Sequence, residues 1–264
     1  MAFYDLDKAD RDKVVVQIHR DLEGDLETAG QSFFITYFSD EDTYIRKTAY
    51  IAIGRIYQGR LDLRQQILEL LNSLLTHPEP KIRQTVVNAA GEIGKQDFEV
   101  VRYFFDTGLF DAHHLVRNAV IGSMKKMGEK NPAPVIDWSR GYLHHEDKEI
   151  RREICHGIEL RGRTHPEDIL PLLYELQYDK TRRVRWTLVH VIGQIAYKKG
   201  CLETVMHHIV NWENKALVTD AIAEIIDVHH RYRNFSFYSQ DEAREWIAQF
   251  MNDSTSRNGG VSKC

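Results

Sequence analysis

The sequence predicts an all-α protein, a right-handed α-solenoid of about six helix–turn–helix repeats, and three observations lead there. An arginine preceded by Ile or Val returns at Arg46, Arg83, Arg117, Arg151 and Arg185, at intervals of 37, 34, 34 and 34 residues. Apolar residues follow each arginine by three, four and seven positions, as in Ala49, Tyr50 and Ile53, or Leu188, Val189 and Ile192. That spacing marks one face of an α-helix. A polar turn precedes each arginine: SDEDTY, THPEPK, FDAHHL, HHEDKE and YDKTRR. A fixed period of this length is the signature of stacked units, each burying its apolar face against the next.

The elements follow in order. Residues 1–25 are acidic and contain an N-terminal capping helix over about residues 6–23. The repeat array runs over 26–233. Its first helices are expected near 26–38, 62–75, 97–109, 134–143 and 167–177, and its second helices start at the arginines. A degenerate sixth unit is expected at 201–233, and a C-terminal capping helix lies within 234–252. Residues 253–264, NDSTSRNGGVSKC with its neighbour, have the composition of a disordered tail. Asp40, Asp42, Glu79, Asp111, Asp147 and Asp179 sit in the turns, where acids cap helices or favour their positive ends. Pro132, Pro134 and Pro166 mark helix starts. Small residues near Ala52, Gly54, Ala89, Gly91, Gly122, Gly157 and Gly193 predict close helix approach.

The segments EDTYIRKTAYIAIGRIY and EPKIRQTVVNAAGEIGK resemble HEAT repeats, whose second helix opens with an acidic turn, Val or Ile, Arg and a small-residue patch. HLVRNAVIGSMKKMG, DKEIRREICHGIELRG and TRRVRWTLVHVIGQIAY are similar but looser, and the resemblance covers roughly residues 26–200. A cation in a helix's first turn opposes the macrodipole by about 0.3–1 kcal/mol, so the five arginines need anionic partners, which the turn acids supply. The resemblance implies that these pairs form a structural ladder through Arg46, Arg83, Arg117, Arg151 and Arg185. A phosphate-binding row is the alternative use of the same side chains.

Composition excludes several classes. The 264 residues are 42% hydrophobic and 28% charged, with formal net charge -4. Residues 1–30 hold eight acids against four bases and account for that imbalance, so no global basic field exists to attract nucleic acid or acidic lipid. Cys155, Cys201 and Cys264 show neither CxxC spacing nor an even count, which disfavours a disulfide framework or a thiolate zinc site. No signal peptide or membrane-length apolar run is apparent, so the expected compartment is cytoplasmic and no membrane partner is expected.

No phosphate-loop, dinucleotide, nucleophile-elbow or HExxH motif occurs, and no cofactor is expected. Thirteen histidines include four adjacent pairs, but neighbours on a helix point about 100° apart and do not chelate one ion together. Glu153 and His156 have di-iron spacing without a second copy. HEAT-built deoxyhypusine hydroxylases carry several His-Glu dipeptides as iron ligands, whereas this chain has only His145–Glu146. No metal is therefore expected.

The expected function is a non-enzymatic scaffold that binds a protein or peptide on the concave surface of its second helices. Lys47, Arg55, Gln84, Arg152 and Gln194 are the candidate groove residues, with Glu92, Asn118 and Lys125 at further exposed positions. Arg182 and Trp186 join them, because an aromatic side chain beside cations stacks on a base or anchors a partner. The plainer reading packs Trp186 between helices and pairs the cations within their own helix. Nucleic acid is the second class of partner: HEAT-like alkylpurine DNA glycosylases are helical solenoids that place tryptophans and a catalytic aspartate in a basic groove. Trp138 and Trp186 would stack and Asp137 or Asp227 would stabilise charge, although no tryptophan here has an aspartate four residues on. A lyase-like HEAT protein acting on a bilin is a third reading, resting on the repeats alone.

Overall fold

The computed structural model describes residues 3–258, side chains to 253, and every regular element among them is helical. A leading helix α1 (Lys8–Glu27) is followed by six helical pairs. These are α2 (Ser32–Ser39) with α3 (Thr43–Gly59), α4 (Arg64–Leu74) with α5 (Pro80–Gly94), and α6 (Arg102–Gly108) with α7 (His114–Lys130). Then come α8 (Pro132–Arg140) with α9 (Lys148–Gly157), which runs on through the short α10 (Glu159–Gly162), and α11 (Pro166–Glu175) with α12 (Arg182–Gln194). The sixth pair is α13 (Cys201–Ile209) with α14 (Lys215–Arg231), and α15 (Gln240–Asn258) closes the sequence. Helix α15 extends into the segment read as a disordered tail; residues 259–264 lie outside those described.

The contacts divide the chain into two compact units, Met1–Val135 and Ile136–Cys264. Within the first, α1, α3, α5 and α7 stack successively, with α2, α4 and α6 packed beside them. Within the second, α9, α12 and α14 stack in the same way, α11 packs on α13, and α15 covers α14. Second helices therefore form one layer in each unit. Close approach in that layer explains the recurring glycine: a Cβ at Gly54 would stand 2.6 Å from Glu92 Cβ, and one at Gly193 2.5 Å from Glu224 Cγ. Gly122 does not share this role, since a Cβ there meets nothing within 4 Å.

Five of the six second helices, α3, α5, α7, α9 and α12, start from a two-tier turn. The residue six before the ladder arginine accepts from the N–H two residues on: Asp40 Oδ1 from Asp42 (2.7 Å), His77 Nδ1 from Glu79 (3.0 Å), Asp111 Oδ1 from His113 (2.7 Å), His145 Nδ1 from Asp147 (3.0 Å) and Asp179 Oδ1 from Thr181 (2.8 Å). The residue four before the arginine is the N-cap, and Asp42, Glu79, His113 and Asp147 each accept a helical N–H. The arginine locks the turn from the other side. Arg83 donates through NH1 to the carbonyls of His77 (2.7 Å) and Pro78 (3.1 Å), Arg117 to those of Asp111 (2.6 Å) and Ala112 (3.0 Å), and Arg151 to those of His145 (2.7 Å) and Glu146 (2.9 Å). Arg46 does the same to Asp40 and Glu41.

Two arginines also reach the next turn within their own unit. Arg83 grips Asp111 through Nε (2.7 Å) and NH2 (2.9 Å), and Arg151 grips Asp179 through Nε (2.6 Å) and NH2 (3.3 Å). Burial alone would raise the carboxyls of Asp111 and Asp179, but the guanidinium and the turn N–H outweigh it and leave both below the usual carboxylate range. Arg185 departs from the pattern and pairs with Asp220 (2.6 Å) in a more exposed setting.

The acidic N-terminal segment is largely consumed by structure. Asp25 is buried at the end of α1 and accepts from the N–H groups of Phe33 (2.7 Å) and Phe34 (3.3 Å), supplying from a neighbouring helix the cap that Gln31 does not give α2. Arg60 binds Glu27 (2.9 Å) and Glu23 (2.5 Å), and Tyr37 donates to Asp21 (2.5 Å). No helix among the described residues is long and apolar enough to cross a membrane.

Removing Arg151 orphans a largely buried Asp179, so Arg151→Ala is expected to cost about 1.5–3 kcal/mol, as for hydrogen bonds to charged groups. Arg185→Ala should cost less than about 1 kcal/mol, as for an exposed pair; urea unfolding of the two variants checks the order. A second expectation concerns pH. His208 Nδ1 accepts from the buried Trp212 indole N–H (2.8 Å), and His229 is wholly buried. Burial depresses both pKa values. A lowered folded pKa means the unfolded chain binds protons more readily, so this stability is complete above about pH 6.5 and is lost as pH falls through the folded values. Thermal midpoints should fall between pH 7.5 and 5, and His208→Gln should flatten that slope.

Candidate functional site

The most chemically pointed surface lies on the second helices of the second unit. Arg152 on α9 and Trp186 on α12 each follow a ladder arginine by one position, so the repeat register places them on neighbouring helices at equivalent points. With Arg182, Arg183 and Thr187 they line a cleft of about 440 Å³. Trp186 is 69% exposed, which corrects the expectation that it packs between helices. Val184, Thr187 and Leu188 occupy the buried face of α12, Trp186 lies off that face, and its ring stacks on His190 (centroids 5.8 Å, planes 8° apart). Glu149 holds two rims of the cleft, binding Arg152 Nε at 2.8 Å and Arg183 NH1 at 2.8 Å. Arg182 is exposed and has no ion pair among the described residues. The cleft therefore offers a broad aromatic face flanked by guanidinium groups.

Behind Trp186 the same helices gather titratable groups. His156 and His190 each follow a ladder arginine by five positions, and Glu159 starts α10 after the break at Gly157. One ligand atom from each of these three residues lies within 4.8 Å of the other two. His156 Nε2 is 3.1 Å from Glu159 Oε2, and His190 Nδ1 is 3.5 Å from Glu224 Oε1. Glu159 is 1% exposed, and its other oxygen accepts from Arg163, which also donates to Gln194 Oε1 at 2.8 Å. Burial lowers the pKa of His190; Glu159 and Glu224 oppose that shift and His156 adds to it. These are the residues that have the chemistry to hold a cation.

The other expected site residues scatter. Lys47 and Arg55 are exposed on α3 of the first unit, Arg55 beside a small hollow of about 140 Å³ with Val15, His19 and Thr48. Gln84 is half-buried on α5 and its Oε1 has no partner. Gln194, expected to face a partner, is instead 1% exposed, and its Oε1 accepts from Arg163 at 2.8 Å. Trp138, expected to stack on a base, is 3% exposed in the core of its unit. Asp137 faces solvent on a first helix and lies 3.6 Å from Arg140, and Asp227 is paired with Arg231 at 2.6 Å. Among the described residues, the candidate aspartates are thus paired with arginines on their own helices, and of the two candidate tryptophans only Trp186 is exposed.

One cleft escaped the sequence altogether. Tyr197 and Tyr232 stack with centroids 5.2 Å apart, and with Lys199, Phe235 and Phe237 they line a hollow of about 840 Å³ in the second unit. Its sequence signal is the aromatic run in RNFSFYS between α14 and α15, outside the periodic helices on which the reading relied.

Comparison with known families now adds to this geometry. Residues 32–106 match the family model of HEAT repeats. This segment carries HEAT repeats. The match spans α2 through most of α6, the part of the first unit in which both tight repeat sequences fall. No curated protein matches the sequence. Among solved structures, an engineered protein is 14% identical over 77% of this chain and 96% of its own, with a TM-score of 0.34. A computationally designed armadillo repeat protein for modular peptide recognition is 17% identical over 73% and 97%, with a TM-score of 0.32. Human deoxyhypusine hydroxylase in complex with glycerol is 14% identical over 84% and 91%, also at 0.32. Scores of this size carry no functional argument.

Proposed function

We propose that this HEAT-repeat chain is a binding scaffold whose second-helix face, in the Ile136–Cys264 unit, takes an acidic segment of a protein partner. The observation that carries the reading is Trp186, 69% exposed in a cleft rimmed by Arg152, Arg182 and Arg183. Tryptophan and arginine supply most of the energy at protein interfaces, the indole by its area and the guanidinium by bidentate bonds to carboxylates. Arg152 and Arg183 already share Glu149, so a partner carboxylate would compete with that acid, whereas Arg182 is ready to pair. The side chains offered are anchors for a segment laid across them. The partner's chemistry is carboxylate-rich with an apolar residue to cover the indole. Buried free thiols at Cys155 and Cys201 support a reducing, cytoplasmic setting.

The test is fluorescence anisotropy of the full chain against a set of labelled peptides rich in Asp and Glu with one Leu or Phe, and against lysine-substituted counterparts. Acidic peptides should bind, with affinity falling as salt rises. Trp186→Ala should weaken binding by about tenfold or more, the size expected of an interface anchor, and Arg182→Ala by less. Equal binding of the lysine peptides, or no loss in Trp186→Ala, would refute the proposal. Preference for a duplex oligonucleotide over every peptide would favour nucleic acid instead.

A further inference from the structure

We infer that His156, Glu159 and His190 form a binding site for a divalent cation of the zinc class, built between α9, α10 and α12. The two histidines are 34 residues apart, one repeat, and occupy the same register position on adjacent second helices. The third ligand comes from a local irregularity. Helix α9 ends at Gly157, and the restart of α10 puts Glu159 eight residues after Arg151, where Gly54, Gly91 and Gly193 stand in other repeats. A carboxylate thus replaces the hydrogen of a helix crossing and is buried against the next helix.

The geometry suits a metal. Tetrahedral ligands at about 2.0–2.1 Å from zinc lie about 3.3 Å from one another. His156 Nε2 and Glu159 Oε2 are already 3.1 Å apart, and a His190 nitrogen lies within 4.8 Å of both. Two of the three ligands have an orienting partner of the kind metal sites use. Glu224 sits 3.5 Å from His190 Nδ1 and so orients that ring, and Arg163 holds the second oxygen of Glu159.

Both histidines stay partly open to solvent, so a cation has an entry path and room for a water. Two imidazoles and one carboxylate select the ion: calcium and magnesium favour all-oxygen shells, and copper(I) favours sulfur.

The experiment uses the full chain, stripped with a chelator and dialysed, then titrated calorimetrically with Zn²⁺ and spectroscopically with Co²⁺. One ion per chain is expected, with a visible Co²⁺ ligand-field band from the nitrogen ligands. His156→Asn and His190→Asn should each weaken Zn²⁺ binding by at least about tenfold, while His207→Asn on α13 should leave it unchanged. Glu224→Gln, acting through His190, should weaken it by about 10–100-fold, the range for an outer-shell partner. Circular dichroism of each variant separates lost ligation from lost fold. Failure of the stripped wild-type chain to bind either ion at micromolar concentration overturns the inference, whatever the variants do. So does binding that survives in the His156→Asn/His190→Asn double variant.

Discussion

The fold depends on how one arginine closes one turn. A guanidinium in the first turn of a helix faces an unfavourable dipole, and these chains of residues solve the conflict by turning the side chain back onto two free carbonyls five and six residues earlier. That bond fixes the angle at which the second helix leaves its turn, and the angle sets how successive second helices stack. The residue six before the arginine alternates Asp40, His77, Asp111, His145 and Asp179 along the sequence. All five accept the same turn N–H, but only Asp can also anchor an arginine from the preceding repeat, as Asp111 and Asp179 do. Arg83 and Arg151 are thus tied to the following turn by a bidentate rung, which five equivalent arginines in the sequence do not reveal.

Once the second helices are stacked, register decides chemistry. Residues one and five positions after the arginine emerge side by side on neighbouring helices. In the second unit these positions hold Arg152 with Trp186, and His156 with His190. The proposed partner cleft and the proposed cation site are thus two consecutive layers of one helical face, joined by the stack of Trp186 on His190. In the first unit the corresponding positions hold Lys47 with Gln84 and Ile51 with Asn88, a different face built on the same frame. Repeats keep the turn and the core and vary the exposed positions, so a scaffold acquires its specificity without changing its fold.

The elements themselves were legible because each rests on local signals: the period, the cap residues and the apolar spacing are all written within one unit. The degenerate sixth pair, α13 with α14, was readable for the same reason even though its arginine is missing. Side-chain placement was legible only where one helix decides it. Trp186 and Trp138 look alike in sequence, both beside polar residues, yet one is open and the other buried, because the first lies on an uncovered second-helix position and the second on a first helix facing its neighbours. Gln194 reads as a surface residue and is drawn inside by Arg163, which is remote in sequence. Asp25 reads as one more acid in a solvated segment and is a buried cap for the following helix.

The sequence by itself determined the helical repeat, its turns and the identity of the ladder residues, because these depend on interactions spanning at most a few turns of chain. It also contained the 34-residue spacing of His156 and His190, although not the fact that Glu159 would join them. Tertiary structure decided that, together with which arginines pair between turns and which tryptophan meets solvent. Those outcomes depend on how closely neighbouring helices approach, and that distance is set by packing across repeats rather than by any one residue.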